Sequence, residues 1–192
     1  MNILITGSRG FVGGRLSTFL MKKGYKVTKL SRYNKQGFKK INWNSDKQLA
    51  KVCRGKDVLI NCLGVDINHA NDFKKANLVN SFLPKKLLSI ADKQGVKYFI
   101  FLSTYHVYDL REKQINEYSK IKGTNNYNKS KIRGERNLLD YKKKIKLIII
   151  RPCNLFGRPI YKNKNCWKLL INELSKKLAL NQKITLRAKF NE

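Results

Sequence analysis

A chain that opens with Asn2-Ile-Leu-Ile-Thr6 and carries glycine at 7, 10 and 13 has few ways to begin folding. The first segment reads as a short apolar strand. An amphipathic pattern then runs to Lys23 and reads as a helix. Gly7 permits the tight turn between them, Gly10 lets the backbone come close to an anion, and Gly13 lets helix and strand pack closely. Ser8, Arg9, Phe11 and Val12 complete the turn and the first helical positions. Free N–H groups and the dipole at a helix start favour a phosphate. Glycine also serves plain turns, so the spacing alone is weak. The strand before it, the helix after it and Gly24 as a C-cap make this a dinucleotide-binding start.

The remaining chain alternates strands and helices. Lys26 to Leu30 read as a second strand ending in Ser31-Arg32. Dinucleotide-binding domains that take NAD carry Asp or Glu there, whereas an Arg can pair with a 2′-phosphate, so the expectation leans to NADP. A short third strand is expected within Lys39–Asn44 and a helix over Asp46–Arg54. Asp57 to Cys62 read as a buried strand, and Leu63-Gly64 follow at its carboxyl end, where such sheets hold ligands. Helical spacing covers Asn71–Lys93, with a kink expected at Pro84. Val96 to Leu102 read as a strand, Tyr127 to Tyr141 as a helix, Ile145 to Ile150 as a strand and Cys166 to Leu180 as a helix. Ile184 to Arg187 could begin one more strand. This order predicts an α/β fold, a Rossmann-type doubly wound parallel sheet with helices on both faces.

Composition limits the alternatives. A length of 192 residues suits one domain or slightly more. No apolar run approaches the ~18 residues of a membrane span, and the chain enters a strand with no secretory signal before it. Cys53, Cys62, Cys153 and Cys166 form no C-x-x-C pair, so reduced thiols in a cytoplasmic protein are expected, with neither a disulfide frame nor a metal. The net charge of +30 is the anomaly. One reading is attraction to nucleic acid. The favoured one is compositional drift, because lysines far outnumber arginines, asparagine and isoleucine are abundant, and the cations are spread along the whole chain.

Tyr127 and Lys131 stand four apart at a helix start and project from one face. Thr104 lies just past the end of a strand that faces the expected crevice. A free tyrosine titrates near ~10, and a nearby ammonium favours its phenolate. Tyr127, Lys131 and Thr104 could thus converge on one hydroxyl or carbonyl. Thr104 would fix the reacting oxygen, and a nicotinamide would take or give the hydride. Tyr-x-x-x-Lys alone is common by chance in so lysine-rich a chain, and its position after Ser103-Thr104 is what gives it weight.

With these motifs in order, the chain resembles an extended short-chain dehydrogenase/reductase of the NAD-dependent epimerase/dehydratase family. Thr6 to Gly13 match T-G-x-x-G-x-x-G, Ser103-Thr104 to Tyr108 resemble S-[ST]-x-x-V-Y, Tyr127 and Lys131 fit Y-x-x-x-K, and Arg151-Pro152 to Gly157 resemble R-P-x-N-x-[FY]-G. The resemblance implies catalytic Thr104, Tyr127 and Lys131, a supporting Asn80, and Pro152 and Asn154 near nicotinamide and sugar. Gly7 to Gly13, Ser31, Arg32, Leu63, Gly64, Ser103, Tyr127 and Lys131 would line the NAD(P) site. It implies a nucleotide-sugar substrate, a role in surface polysaccharide synthesis, and a homodimer formed through helices. Residues 1–160 are then the NAD(P)-binding domain, and 161–192 an incomplete C-terminal substrate-binding portion.

The chain departs from the family at three points. Tyr105-His106 stand where sugar 4,6-dehydratases carry Asp-Glu, and His106 reads as structural or solvent-facing. Asp109 replaces the usual glycine after Val-Tyr. The chain also stops soon after Ile184-Thr-Leu-Arg187, which reads as a truncated member, a complete shorter variant being the competing idea. Three function classes stay open: an epimerase or an NADPH-dependent keto-sugar reductase, a cofactor-binding protein without turnover, and a nucleic-acid binder.

Overall fold

The structure, a computed structural model, describes residues 1–142, 144–161, 166–167 and 169–185. Strands β1 (Asn2–Thr6), β2 (Lys26–Ser31), β3 (Lys39–Lys40), β4 (Val58–Asn61), β5 (Tyr98–Leu102) and β6 (Lys146–Ile150) form one sheet in the order β3-β2-β1-β4-β5-β6. Every pairing is parallel. The order reverses at β1, so a crevice opens between the carboxyl ends of β1 and β4.

The pleat explains the unbroken apolar runs, since alternate residues are buried on opposite faces. Leu4, Leu59, Phe99 and Phe101 pack on one face with Leu49 and Val52 of α2 (Asp46–Cys53), Leu87 and Leu88 of α4 (Leu83–Lys93), and Leu138 of α5 (Asn126–Leu139). Ile3, Ile5, Val58 and Ile60 pack on the other with Leu16 and Leu20 of α1 (Phe11–Lys22). Ile148 and Ile150 share that second face at the sheet edge and stay 43% and 44% exposed.

Local chemistry adjusts several expected boundaries. The third strand is only two residues long, because the Asn42 side chain accepts from the Asn44 N–H and turns the chain away. The helix expected from Asn71 starts at Phe73, where Asp72 caps α3 (Phe73–Asn77) by accepting from the Lys74 and Lys75 N–H groups. The irregularity expected at Pro84 falls one turn earlier. Leu78–Phe82 form a π-helical segment whose Leu83 N–H reaches back to the Leu78 carbonyl. Pro84 sits in the first turn of α4, where its missing N–H is tolerated. The last helix, α6, spans only Leu170–Ala179. Cys166 and Trp167 precede it in a turn closed by the Leu169 N–H on the Cys166 carbonyl. The strand expected at Ile184 is not formed at Ile184 and Thr185, and Arg187 lies outside the described residues.

Candidate active site

The glycine turn is built as its spacing requires. Gly7 has φ +63°, and a β-carbon there would lie 2.4 Å from the Cys62 carbonyl oxygen. A β-carbon on Gly13 would lie 2.4 Å from the Gly7 carbonyl oxygen, so this glycine lets α1 close on the turn. Gly10 donates its N–H to that carbonyl at 2.8 Å and precedes α1 with no side-chain cap. The N–H groups of Phe11, Val12 and Gly13 therefore begin the helix free for an anion. Ser8 is fully buried, and its hydroxyl donates to the Leu30 carbonyl at 3.0 Å, which ties the turn to β2. A turn stripped of β-carbons before an uncapped helix start fits a dinucleotide pyrophosphate.

At the end of β2 the Ser31 hydroxyl accepts from the Tyr33 N–H at 3.1 Å. The guanidinium groups of Arg32 and Arg9 lie 4.9 and 5.9 Å from the centre of the Tyr33 ring. The cation expected at the ribose end and the cation of the glycine turn thus meet on one exposed aromatic ring. Tyr161 stands against Gly14 and pairs with the Phe38 ring at 5.6 Å, which carries the chain beyond Gly157 over the start of α1.

Across the crevice, Thr104 and Tyr127 come together. Thr104 is buried beyond β5, and its hydroxyl lies close enough to the Tyr127 phenol to act on its pKa. Asn125 caps α5 by accepting from the Asn128 N–H at 2.9 Å, so Tyr127 falls in the first turn. Lys131, one turn on, is buried and donates to the Leu102 carbonyl at 2.8 Å, with its ammonium 5.0 Å from the centre of the Phe101 ring. Burial brings Lys131 down to about 8, against the pull of Cys62 and Glu135.

The expected lowering of Tyr127 is not found. Burial raises its pKa, the neighbouring Thr104 hydroxyl lowers it, and the Asp66 carboxylate raises it further. The Lys131 ammonium is engaged by a backbone carbonyl, and the phenol keeps its proton at neutral pH. His106 stacks on Tyr105 with ring centres 4.1 Å apart, and burial lowers its pKa. Asp109 is buried and held by Arg111 through Nε at 2.9 Å and Nη2 at 2.6 Å.

Asn80 comes from the π-helical segment. Its Oδ1 accepts from the Val65 N–H at 2.9 Å, and its Nδ2 donates to the Val65 carbonyl and the Ser130 hydroxyl, each at 3.0 Å. It thereby fixes the Leu63–Gly64 loop. A β-carbon on Gly64 would lie 3.3 Å from the Lys131 ammonium. The Pro152 carbonyl accepts from the Tyr105 N–H at 3.0 Å, which docks the Arg151 loop beside Thr104. Asn154 lies exposed on that loop. The Ser103 hydroxyl donates to the Glu135 carboxylate, so it is committed within the protein.

The sequence profile of the NAD dependent epimerase/dehydratase family matches residues 3–189. The chain belongs to this family. It is 29% identical over 167 residues to N-acetyl-α-D-glucosaminyl-diphospho-ditrans,octacis-undecaprenol 4-epimerase of Escherichia coli O157:H7, covering 81% of this chain and 49% of that protein. It is 24% identical over 181 residues to an uncharacterized UDP-glucose epimerase of Bacillus subtilis strain 168, covering 82% and 57%. The chain thus spans about half the length of these relatives. UDP-glucuronic acid 4-epimerase from Bacillus cereus, solved with NAD, superposes with a TM-score of 0.81 at 22% identity, covering 98% of this chain and 66% of that one. A dTDP-4-dehydrorhamnose reductase from Bacillus anthracis, solved with NADP, gives 0.73 at 22%, covering 92% and 61%. These two establish the same fold.

Sequence reasoning missed two residues of this epimerase-family site. Glu135 is 2% exposed and binds Ser103 and Arg151. Its signal was available: an acid four residues after Lys131, on the same helix face, in a chain with 12 acids. Asp66 acts on the Tyr127 phenol from the loop beyond β4, and nothing in its sequence surroundings marks it.

Proposed function

We propose that this chain forms the NAD(P)-binding and catalytic part of an enzyme that oxidises or reduces a ring carbon of a diphosphate-linked sugar. The observation that carries this reading is the approach of the Thr104 hydroxyl to the Tyr127 phenol, one helical turn from the buried Lys131 and across the crevice from the glycine turn. Gly10 and the first N–H groups of α1 would hold the pyrophosphate, and Leu63-Gly64 and Pro152 would flank the nicotinamide. A bound nicotinamide supplies a hydride acceptor or donor. Thr104 orients the sugar oxygen and Tyr127 moves its proton. In the reductive direction the phenol, protonated at rest, donates to the new hydroxyl. In the oxidative direction Tyr127 acts as base once its phenol has given up the proton that burial holds there. An epimerase uses both directions in turn and leaves its cofactor unchanged.

The sugar carrier is a nucleoside diphosphate or a polyprenol diphosphate. The B. cereus neighbour was solved with a UDP-sugar, and the E. coli relative is named for an undecaprenol-linked one. Residues 161–192 belong to the portion that grips this carrier. A role in surface polysaccharide synthesis follows from that substrate class. Arg9 and Arg32, with no acid between Ser31 and Lys40, favour NADP and so support the reductase as second reading.

Calorimetry with NAD(H) and NADP(H), on wild type and Tyr127→Phe, tests the reading. Both proteins are expected to bind one cofactor pair. Tyr127→Phe is expected to lose turnover of sugar diphosphates by at least ~100-fold. A folded wild type that binds neither cofactor, or a variant with undiminished turnover, overturns it.

A further inference from the structure

Glu135 lies buried on α5, one turn beyond Lys131. Its carboxylate accepts from the Ser103 hydroxyl. Arg151 grips it through Nε at 3.0 and 3.2 Å and through Nη2 at 2.6 Å. Arg151 in turn donates to the Tyr108 hydroxyl at 2.7 Å and to the Glu117 carbonyl at 3.2 Å, and it lies over the Tyr108 ring. Four segments meet at this carboxylate: the end of β5 that carries Thr104, the α5 helix that carries Tyr127 and Lys131, the loop that carries Pro152 and Asn154, and the Tyr108 connection. Surface ion pairs contribute little, but here the carboxylate is 3% and the guanidinium 17% exposed, so breaking the pair strands a charge.

We infer that Glu135 is a positioning residue of this site: it holds the Thr104 strand end and the Arg151 loop against α5, and it faces the Lys131 ammonium from the next turn of the same helix face, Lys131 being bonded to Leu102 and Glu135 to the adjoining Ser103. This rests on the reading of Tyr127 and Lys131 given above. The charged and titratable groups around the Lys131 ammonium are few. Glu135 lies on its own helix, and Cys62 faces it from the end of β4. The Leu102 carbonyl, the Phe101 ring and the Gly64 backbone complete the surroundings. Glu135 is the carboxylate acting on that ammonium, and Arg151 decides how much of its charge is left over.

The test uses the opposite signs of the two partners. In the cofactor-free full chain labelled at lysine ε-carbons, the Lys131 resonance is the one lost in Lys131→Arg, and its pH titration is followed by NMR. Glu135→Gln removes the negative neighbour and leaves Arg151 unpaired, so Lys131 should lose its proton at lower pH than in wild type, by about one pH unit. Arg151→Gln leaves the carboxylate uncompensated, so Lys131 should titrate higher. Glu135→Asp should lie between wild type and Glu135→Gln. A merely structural contact shifts both partners' variants the same way or leaves the titration unmoved, and either result overturns the inference. Should Glu135→Gln fail to fold, Arg151→Gln decides alone: an upward shift supports it, and no shift or a downward one overturns it. Wild-type cofactor binding, measured separately, tells failure of this inference from failure of the functional reading.

Discussion

The carbonyl oxygen of Asn80 stands 2.2 Å from where a β-carbon on Gly134 would be. Pro84, four residues on, has no N–H to offer that carbonyl, and the π-helical segment turns it towards α5. Gly134 lets the two helices meet, so Asn80 can reach Val65 and Ser130. Gly134→Ala should force α5 away and cost about 1–3 kcal/mol of stability, the usual range for an overpacked core. Chemical denaturation checks this. Unchanged stability would mean that the contact yields without strain.

Gly13 and Gly10 of the opening turn should separate folding from binding. At Gly13 an added β-carbon meets backbone at 2.4 and 2.9 Å, and backbone does not give way. Gly13→Ala should therefore lower stability by about 1–3 kcal/mol. At Gly10 the same atom meets only the Gly7 carbonyl, at 3.0 Å, and the residue has φ −71°. Gly10→Ala should melt within about 1 kcal/mol of wild type, yet its methyl group enters the space for the pyrophosphate. Cofactor affinity should fall at least ~10-fold, or about 1.4 kcal/mol. Thermal melts beside calorimetry separate the two effects.

The sheet was legible in the sequence because its signals are local. Strands buried on both faces are continuous apolar runs, and α1, α2 and α4 are followed by Gly24, Gly55 and Gly95, all at positive φ. The approach of Thr104 to Tyr127 was legible for the same reason, since a strand end and a helix start set it. The π-helical segment was not. It depends on Gly134, well over a dozen helical turns later in the sequence than Asn80, allowing a close approach that no local pattern records. The Glu135–Arg151 pair was likewise hidden, because the chain joins 16 residues across a helix end and a strand to form it. The Tyr127 pKa was misjudged because spacing gives proximity to Lys131 but not burial, and burial dominates.

Cofactor choice should follow the arginines around Tyr33. A charge-assisted contact to a 2′-phosphate contributes about 1–2 kcal/mol. Arg32→Ala should reduce the preference for NADPH over NADH by roughly tenfold, and Arg9→Ala by a similar or smaller factor, with NADH affinity little changed. Competition binding of the two cofactors at fixed ionic strength reads this out. Equal losses for NADH and NADPH would instead assign both cations to the pyrophosphate.

Lys131 should make stability depend on alkaline pH in a definite direction. It titrates at about 8 in the folded chain, against 10.5 for an ordinary lysine. Below pH 8 it is charged in both states and the full burial penalty, about 3 kcal/mol at about 1.4 per unit, stands. Between these two values the unfolded chain holds the extra proton, so stability rises with pH. Above 10.5 the penalty is gone. Lys131→Met removes the charge and also the bond to the Leu102 carbonyl, which offsets about 1–2 kcal/mol. The variant should therefore be about 1–2 kcal/mol more stable than wild type at pH 7, and that advantage should shrink from pH 8 upwards. Cys53 and Cys62, pushed up by burial to about 11 and about 12, oppose the rise above pH 9, so the difference between the two unfolding curves is the quantity to follow. A difference that stays constant between pH 7 and pH 10 would show that the buried ammonium does not titrate in that window.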